Sequence, residues 1–324
     1  MEFNNLSGIS ISFLMPVKDG AVYLENAMKA IIQNSEQGDQ IIIVNDGSTD
    51  NTLKILKKWE KKHSNINLVN TKSQGLVNAL NVGIRAAEKQ FIARFDVDDL
   101  YDAERIAIQK KLLNAKVGAV FCDYEIVSAK VRSLGVIPCA VSPELTKLSL
   151  FTGIQTPHPG VIFNRDAVND LGGYIPEDFP AEDLGLWIRL SSKYELIGVP
   201  KTLLKYRIHR NSITSSNRSR VLKKRNEIAS AFLKSYRSGA KNAFYENLRR
   251  ELTQYKDTEH AGLRYFLHLK NLKQLVEVNY QMSQDAYRKD VEKLIFQNSI
   301  NLTGDFINYA RRKSYRFIPN FLFP

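Results

Sequence analysis

The sequence has no long apolar run. Nothing in its 324 residues approaches the roughly 18 consecutive apolar residues that cross a bilayer. The opening MEFNNLSGIS also lacks the basic start and apolar stretch of a secretory signal, so a cytosolic protein is expected. Cysteine is scarce: Cys122 and Cys139 stand alone, without the spacing of a thiolate metal site or a redox pair. That excludes a disulfide-stapled scaffold, suits a reducing compartment and leaves both thiols an expected structural role. Acidic residues are scarce only near the end. Residues 1–212 hold 25 Lys and Arg against 24 Asp and Glu, whereas residues 213–324 hold 21 against 10. Of the net charge of +12, the tail therefore carries +11, and a segment that basic seeks a polyanion, either nucleic acid or an anionic membrane surface. No nucleic-acid-binding motif accompanies it, and the acidic clusters of the first part would repel phosphate unless filled by metal, so no nucleic-acid partner is expected.

What is present in the first 212 residues is an alternation of short β-branched runs with helical spacing, the pattern of an α/β sheet wound with crossover helices. ISISFLMPV (9–17) predicts a first strand, Leu24, Ala27, Met28 and Ile31 a helix, and IIIV (41–44) a second buried strand. NDGSTDNT (45–52) then supplies a turn at Gly47, with Ser48, Thr49 or Asp50 expected to cap a helix through Leu53, Ile55, Leu56 and Trp59. INLVN (66–70) predicts strand three, residues 75–88 a helix and FIARFDV (91–97) strand four. AVFCDYEIV (119–127) and GVIFN (160–164) are further strands of a sheet expected to become mixed, followed by a helix over 181–193. Beyond the polar joint NSITSSN (211–217) the pattern turns wholly helical. Leu263, Phe266, Leu267, Leu269, Leu272, Leu275 and Val276 form one apolar face, and Val291, Leu294, Ile295 and Ile300 another. Two domains are expected, 1–212 and 213–324.

Ligands of open α/β sheets collect at the carboxyl ends of the strands, and two acidic clusters fall there. Asn45-Asp46-Gly47-Ser48 follows strand two. Its carboxylate suits a nucleobase imide or ribose hydroxyl, and equally a strand-to-helix turn. Asp96-Val97-Asp98-Asp99 follows strand four; three carboxylates in four residues repel one another, a cost that a hard dication bridged to phosphate oxygens relieves. Asp99 could instead cap a helix running from Ala103. Glu182-Asp183 opens an amphipathic helix, where one acid suits the helix dipole and one a general base. Gly172-Gly173-Tyr174 reads as a sharp turn, Thr156-Pro157-His158-Pro159 as a rigid loop with a structural His158, and His209 as either a structural histidine or an extra metal ligand.

In their order, SFLMPVKDGAVYLENAM, IIIVNDGSTDNT, SQGLVNALNVGIRAA, FIARFDVDD, TPHPGVIFNRDAV, LGGYIPEDFPAEDLGLWIRL and YRIHRNSIT resemble the family 2 inverting glycosyltransferases over residues 10–213. The resemblance implies a GT-A fold, a Rossmann-like, mainly parallel mixed sheet with helices on both faces, here followed by a helical C-terminal region. It implies that Pro16, Val17, Asp19, Asp46, Gly75 and Asn78 bind the nucleotide-sugar, with Asp96 near the ribose or sugar. Asp96 and Asp98 would form the DxD pair and hold Mn2+ or Mg2+, completed by His209. Asp183 would be the catalytic base and Glu182 would orient the acceptor. The chain departs from the family pattern at Lys18-Asp19, where Asn is common, and at Asn45, where a first Asp is common.

The implied activity is metal-dependent, inverting transfer from a nucleoside-diphosphate sugar, UDP favoured, to a glycan or polyprenyl-diphosphate-linked acceptor in cell-surface polysaccharide synthesis, as in O-antigen or capsule assembly. The rival readings are an inactive nucleotide-sugar-binding scaffold, opposed by the intact Asp98 and Asp183, and a sugar nucleotidyltransferase, opposed by the lone glycine in LMPVKDGAVYL. Arg311 to Pro324, basic and aromatic, is expected to meet the anionic inner face of the cytoplasmic membrane or another subunit.

Overall fold

A computed structural model gives the fold and describes residues 9–137 and 158–209, with further positions between 139 and 150 and between 212 and 231. The chain divides into two units, residues 1–143 with 155–225, and residues 144–154 with 226–324. Of the second, only positions 146, 147, 150, 227, 228 and 231 are described. The expected joint at 213, the apolar helical faces from Leu263 to Ile300 and the terminal basic segment lie outside the described residues.

The first unit begins β1 (Ile11–Val17), α1 (Ala21–Asn34), β2 (Gln40–Asp46), α2 (Thr52–Lys62), β3 (Ile66–Thr71), α3 (Leu76–Ala86) and β4 (Phe91–Arg94). β1 lies between β2 and β4 and parallel to both, and β3 is parallel to β2. Every residue of β1 is buried, because a parallel strand covered by helices on both faces has no wet side. Ile11, Phe13, Met15 and Val17 join Leu24, Met28 and Ile31 of α1 and Leu56 of α2 in one core. Each such side chain contributes about 1.5–3 kcal/mol on full burial. Leu14 points the other way, into α3, where a Cβ added at Gly83 would lie 2.1 Å from its Cδ1. Helices thus cover both faces.

The chain continues as β5 (Leu100–Tyr101), α4 (Arg105–Lys110), β6 (Val117–Ser128), β7 (Ser133–Ile137), β8 (Ile162–Asn164), α5 (Arg165–Asp170), α6 (Glu182–Leu190) and β9 (Glu195–Ile208). The sheet order is β3-β2-β1-β4-β8-β6-β9-β5, with β7 on β6. β8 is antiparallel to β4 and β6, and β9 is parallel to β6, so the sheet becomes mixed as expected.

Three local expectations are corrected. β4 stops at Arg94 instead of Val97, because the Asp96 N–H leaves the ladder and donates to the Tyr101 hydroxyl at 2.5 Å. None of Ser48, Thr49 or Asp50 is the N-cap of α2; Asn51 occupies it, and Asp50 Oδ1 accepts from Thr52 N within the turn. Asp99 does not cap α4, whose N-cap is Glu104. The 14-residue β9 carries no strand signal that survives Pro200 and Lys201. The register opposite β6 jumps there, from Cys122 facing Val199 to Asp123 facing Thr202, and the irregularity accommodates the proline.

Candidate active site

The parallel strands β2, β1 and β4 end side by side, and their exits are laced together. Asp19, just past β1, sits at φ 50, a left-handed conformation that Asp tolerates. Its N–H donates to Ser48 Oγ at 2.9 Å, and its Oδ1 accepts from Thr49 N at 2.7 Å. Pro16 and Val17 stand in register with Val44 and Asn45. Asp46 organises the next loop: Thr71 Oγ1 donates to it at 2.6 Å, and Gln74 N and Gly75 N each at 2.8 Å. Burial alone would raise its carboxyl, but these three hydrogen bonds, with the Lys18 charge, outweigh burial and hold it below the usual range. Only glycine fits at Gly47, which has φ 64 and where a Cβ would come within 2.8 Å of Ser73 N. Gly75 is the N-cap of α3, and Asn78 Nδ2 donates to Gln74 Oε1 at 2.9 Å.

Next to this loop pair is the acidic turn. Asp96, Asp98 and Asp99 bring carboxylate oxygens within 4.8 Å of one another. Asp98 Oδ2 lies 2.7 Å from His209 Nε2, while the Asp98 carbonyl accepts from Arg207 Nε at 2.7 Å. The ring of Tyr23 on α1 lies 5.4 Å from that of His209 and 5.2 Å from the Arg207 guanidinium, which ties the turn to the β1 exit. Asp99 is only 4% exposed and accepts from Arg207 N at 2.8 Å through Oδ1, while its Oδ2 has no partner. Burial first, then the charges of Asp98 and Asp96, push its carboxyl well above the usual range. Asp96, with a 28% exposed side chain, is held by Arg94 at 2.6 Å. Arg94 itself is 1% exposed.

Behind Arg94 a buried polar cluster leads to the second acidic pair. The Tyr174 hydroxyl and His158 Nε2 lie 2.7 Å apart, and burial first, then the Arg94 charge, keep His158 neutral. Glu182 and Asp183 open α6 and sit in the same electrostatic neighbourhood: the charges of Arg94 and Asp183 act on Glu182, and that of Asp183 acts on Asp96. Glu182 is 5% exposed with Oε2 unpartnered, and burial, then Asp183, push its carboxyl up to about 7. Asp183 Oδ1 accepts from Leu184 N at 2.8 Å, and its Oδ2 pairs with Arg225 at 3.6 Å.

The fold therefore assembles the expected residues in two groups. Asp19, Asp46, Gly75 and Asn78 shape the loops at the β1, β2 and β3 exits, and Asp96, Asp98 and His209 share the acidic turn, whose Asp96 feels the charge of Asp183. The donor set is all oxygen plus one imidazole, and Asp99 has a buried carboxylate oxygen left over, so the cluster fits a hard divalent ion. Sequence reasoning missed Arg94, Tyr174, Arg207 and Arg225. Arg94 had a signal, a lone charge inside the apolar run FIARF; Arg225 had none.

Residues 12–172 match glycosyl transferase family 2. An uncharacterized glycosyltransferase of Rickettsia prowazekii is 26% identical over 242 residues, 71% of this chain and 73% of its own length. The poly-beta-1,6-N-acetyl-D-glucosamine synthase of Staphylococcus epidermidis is 26% identical over 206 residues, 60% of this chain and 48% of its own length. Two solved structures share the fold at 17% identity. The mannosyltransferase PcManGT from Pyrobaculum calidifontis, in complex with GDP-Man and Mn2+, superposes with a TM-score of 0.55, covering 94% of this chain and 87% of its own. S. aureus TarS 1-349 in complex with UDP-GlcNAc gives 0.57, covering 95% and 93%.

Proposed function

The chain carries a glycosyl transferase family 2 domain over residues 12–172 and has the GT-A fold, and from that premise we propose that it is an inverting, divalent-metal-dependent transferase. Its donor is a nucleoside-diphosphate sugar, preferably a UDP-linked hexose or N-acetylhexosamine, and its acceptor is a glycan or a lipid-linked glycan of the cell surface. The observation that carries this reading is the acidic turn Asp96, Asp98 and Asp99 with His209, tied to the β1 exit through Tyr23 and within the electrostatic reach of Asp183. The N-acetylglucosamine named for the Staphylococcus synthase and for the TarS complex supports that sugar class, and the Mn2+ of the PcManGT complex supports the ion.

In this reading the Asp46 loop and the backbone of Pro16 and Val17 receive the nucleotide, and Asp19, Gly75 and Asn78 complete its walls. Asp98, Asp96 and His209 would hold the divalent ion, whose charge offsets that of the departing diphosphate. Asp183 takes the proton of an acceptor hydroxyl. The acceptor oxygen forms its bond to the anomeric carbon as the bond from that carbon to the diphosphate oxygen breaks, with inversion. Glu182, beside it, orients the acceptor. Among the described residues no helix is long and apolar enough to cross a membrane. A contact of the basic terminal segment with anionic lipid rests on sequence charge.

The test is transfer from UDP-N-acetylglucosamine and related donors in the presence of Mn2+, with the product read by NMR. Product of inverted anomeric configuration supports the proposal. Retained configuration removes the single-displacement mechanism, and the absence of turnover with any UDP-, GDP- or dTDP-sugar removes the reading altogether.

A further inference from the structure

The chain beyond β9 comes back to the acid pair. Residues 219–221 and 223–225 are helical, and this short segment rests on the loop that leads into α6. Val221 is only 5% exposed. The Arg220 guanidinium lies 5.6 Å from the centre of the Phe179 ring. Arg225 reaches Asp183 Oδ2 at 3.6 Å, on the carboxylate oxygen opposite the one held by Leu184 N. Two adjacent carboxylates with little access to water repel each other, and one of them, Glu182, has an oxygen with no hydrogen-bond partner. A cation at the mouth of the pair offsets that repulsion and fixes the direction in which Asp183 points. The charge of Arg225 also acts on Tyr124 and His158.

We propose that Arg225, supplied by the segment that follows β9, is a positioning residue for the Glu182-Asp183 pair, holding Asp183 oriented for proton removal from the acceptor. It contacts a catalytic carboxylate and not the reacting atoms. This inference rests on the role of Asp183 given above. Because positioning concerns the proton-removal step, losing Arg225 lowers turnover and leaves nucleotide binding alone. It also changes the pH profile. Glu182 faces Asp183, Arg94, Arg225 and Tyr174, and with Arg225 gone one of its two offsetting cations is lost, so it holds its proton to higher pH.

The experiment compares the full chain with Arg225→Met and Arg225→Lys. Release of the nucleoside diphosphate is followed from a panel of UDP-, GDP- and dTDP-sugars with Mn2+, across pH, alongside UDP affinity by calorimetry. The proposal expects Arg225→Met to lose about tenfold or more in kcat, to keep the parent UDP affinity and to move the acidic limb of kcat/KM upward; Arg225→Lys recovers part of the rate. A parent-like kcat and acidic limb in Arg225→Met overturns it, as does a loss of UDP affinity matching the loss of rate. If the parent chain releases no nucleoside diphosphate from any donor, the function itself falls and this inference with it.

Discussion

His209 Nε2 stands 2.7 Å from Asp98 Oδ2, joining the residue after the last strand of the sheet to the turn that follows its central parallel strands. Arg207 adds a second link two residues earlier, donating from its backbone to Asp99 and from its side chain to the Asp98 carbonyl. β9 therefore closes the acidic turn from the far side. His209→Ala should leave the turn in place and weaken Mn2+ binding by about 10- to 100-fold, measured by calorimetry on the free protein, whereas Arg207→Ala should lower thermal stability as well.

The acid pair gives a pH-dependent prediction. Burial, then the charge of Asp183, raise Glu182 from 4.5 to about 7 in the folded protein. The folded state binds this proton more tightly than the unfolded chain. Its contribution to stability is complete below pH 4.5 and is lost as pH rises through about 7. Glu182→Gln removes the loss. Denaturant melts should show the variant more stable than the parent at pH 8 by about 1–3 kcal/mol and nearly equal to it at pH 4.5, while transfer falls.

How far the site was legible in the sequence depends on whether its residues act through local pattern or through distant partners. Asp96, Asp98 and the β4 strand before them are local: apolar β-branched runs specify buried parallel strands, and a dense acidic turn at a strand end has few uses. The paired loops of Asp19 and Asp46 were legible as positions, but not the hydrogen bonds from Thr71, Gln74 and Gly75 that define Asp46, since those partners lie on the next strand-to-helix connection. β9 was hidden by Pro200, which a bulge absorbs. Arg225 is some forty residues beyond the acid that it pairs with, in a segment whose charge looked like an undifferentiated basic tail.

Asp46 supports a separate test. It accepts three hydrogen bonds from one loop, and Asp46→Ala strips partners from two backbone N–H groups at once. A loss of about 2–4 kcal/mol in stability is expected, together with loss of UDP affinity, while the Mn2+ affinity of the acidic turn persists. Because the hydrogen bonds hold the Asp46 carboxyl low, its contribution to stability is present above the ordinary carboxylate range and lost as pH falls below it, which acid melts of parent and variant should separate.

Gly185 offers a test of packing around α6. An alanine inside a helix ordinarily gains about 0.5–1 kcal/mol over glycine. Here a Cβ would meet Asp178 Oδ2 at 2.0 Å, an oxygen engaged by Arg189 at 3.0 Å. Gly185→Ala should therefore destabilise by about 1–3 kcal/mol and, by shifting the helix that begins at Glu182 and Asp183, reduce turnover. A higher Tm with unchanged turnover would show that the Asp178-Arg189 pair moves aside freely.

The central claim is that the acidic turn binds a divalent ion together with a nucleoside diphosphate, and calorimetry of UDP against the full chain tests it most directly, with Mn2+, with EDTA, and with Mn2+ on Asp98→Ala. The account predicts binding in the first case and its loss in the other two, and GDP or dTDP replacing UDP with the same dependence would change only the donor. UDP binding that is as tight in EDTA as in Mn2+, or undiminished in Asp98→Ala, would contradict the assignment of this turn as the metal and nucleotide site.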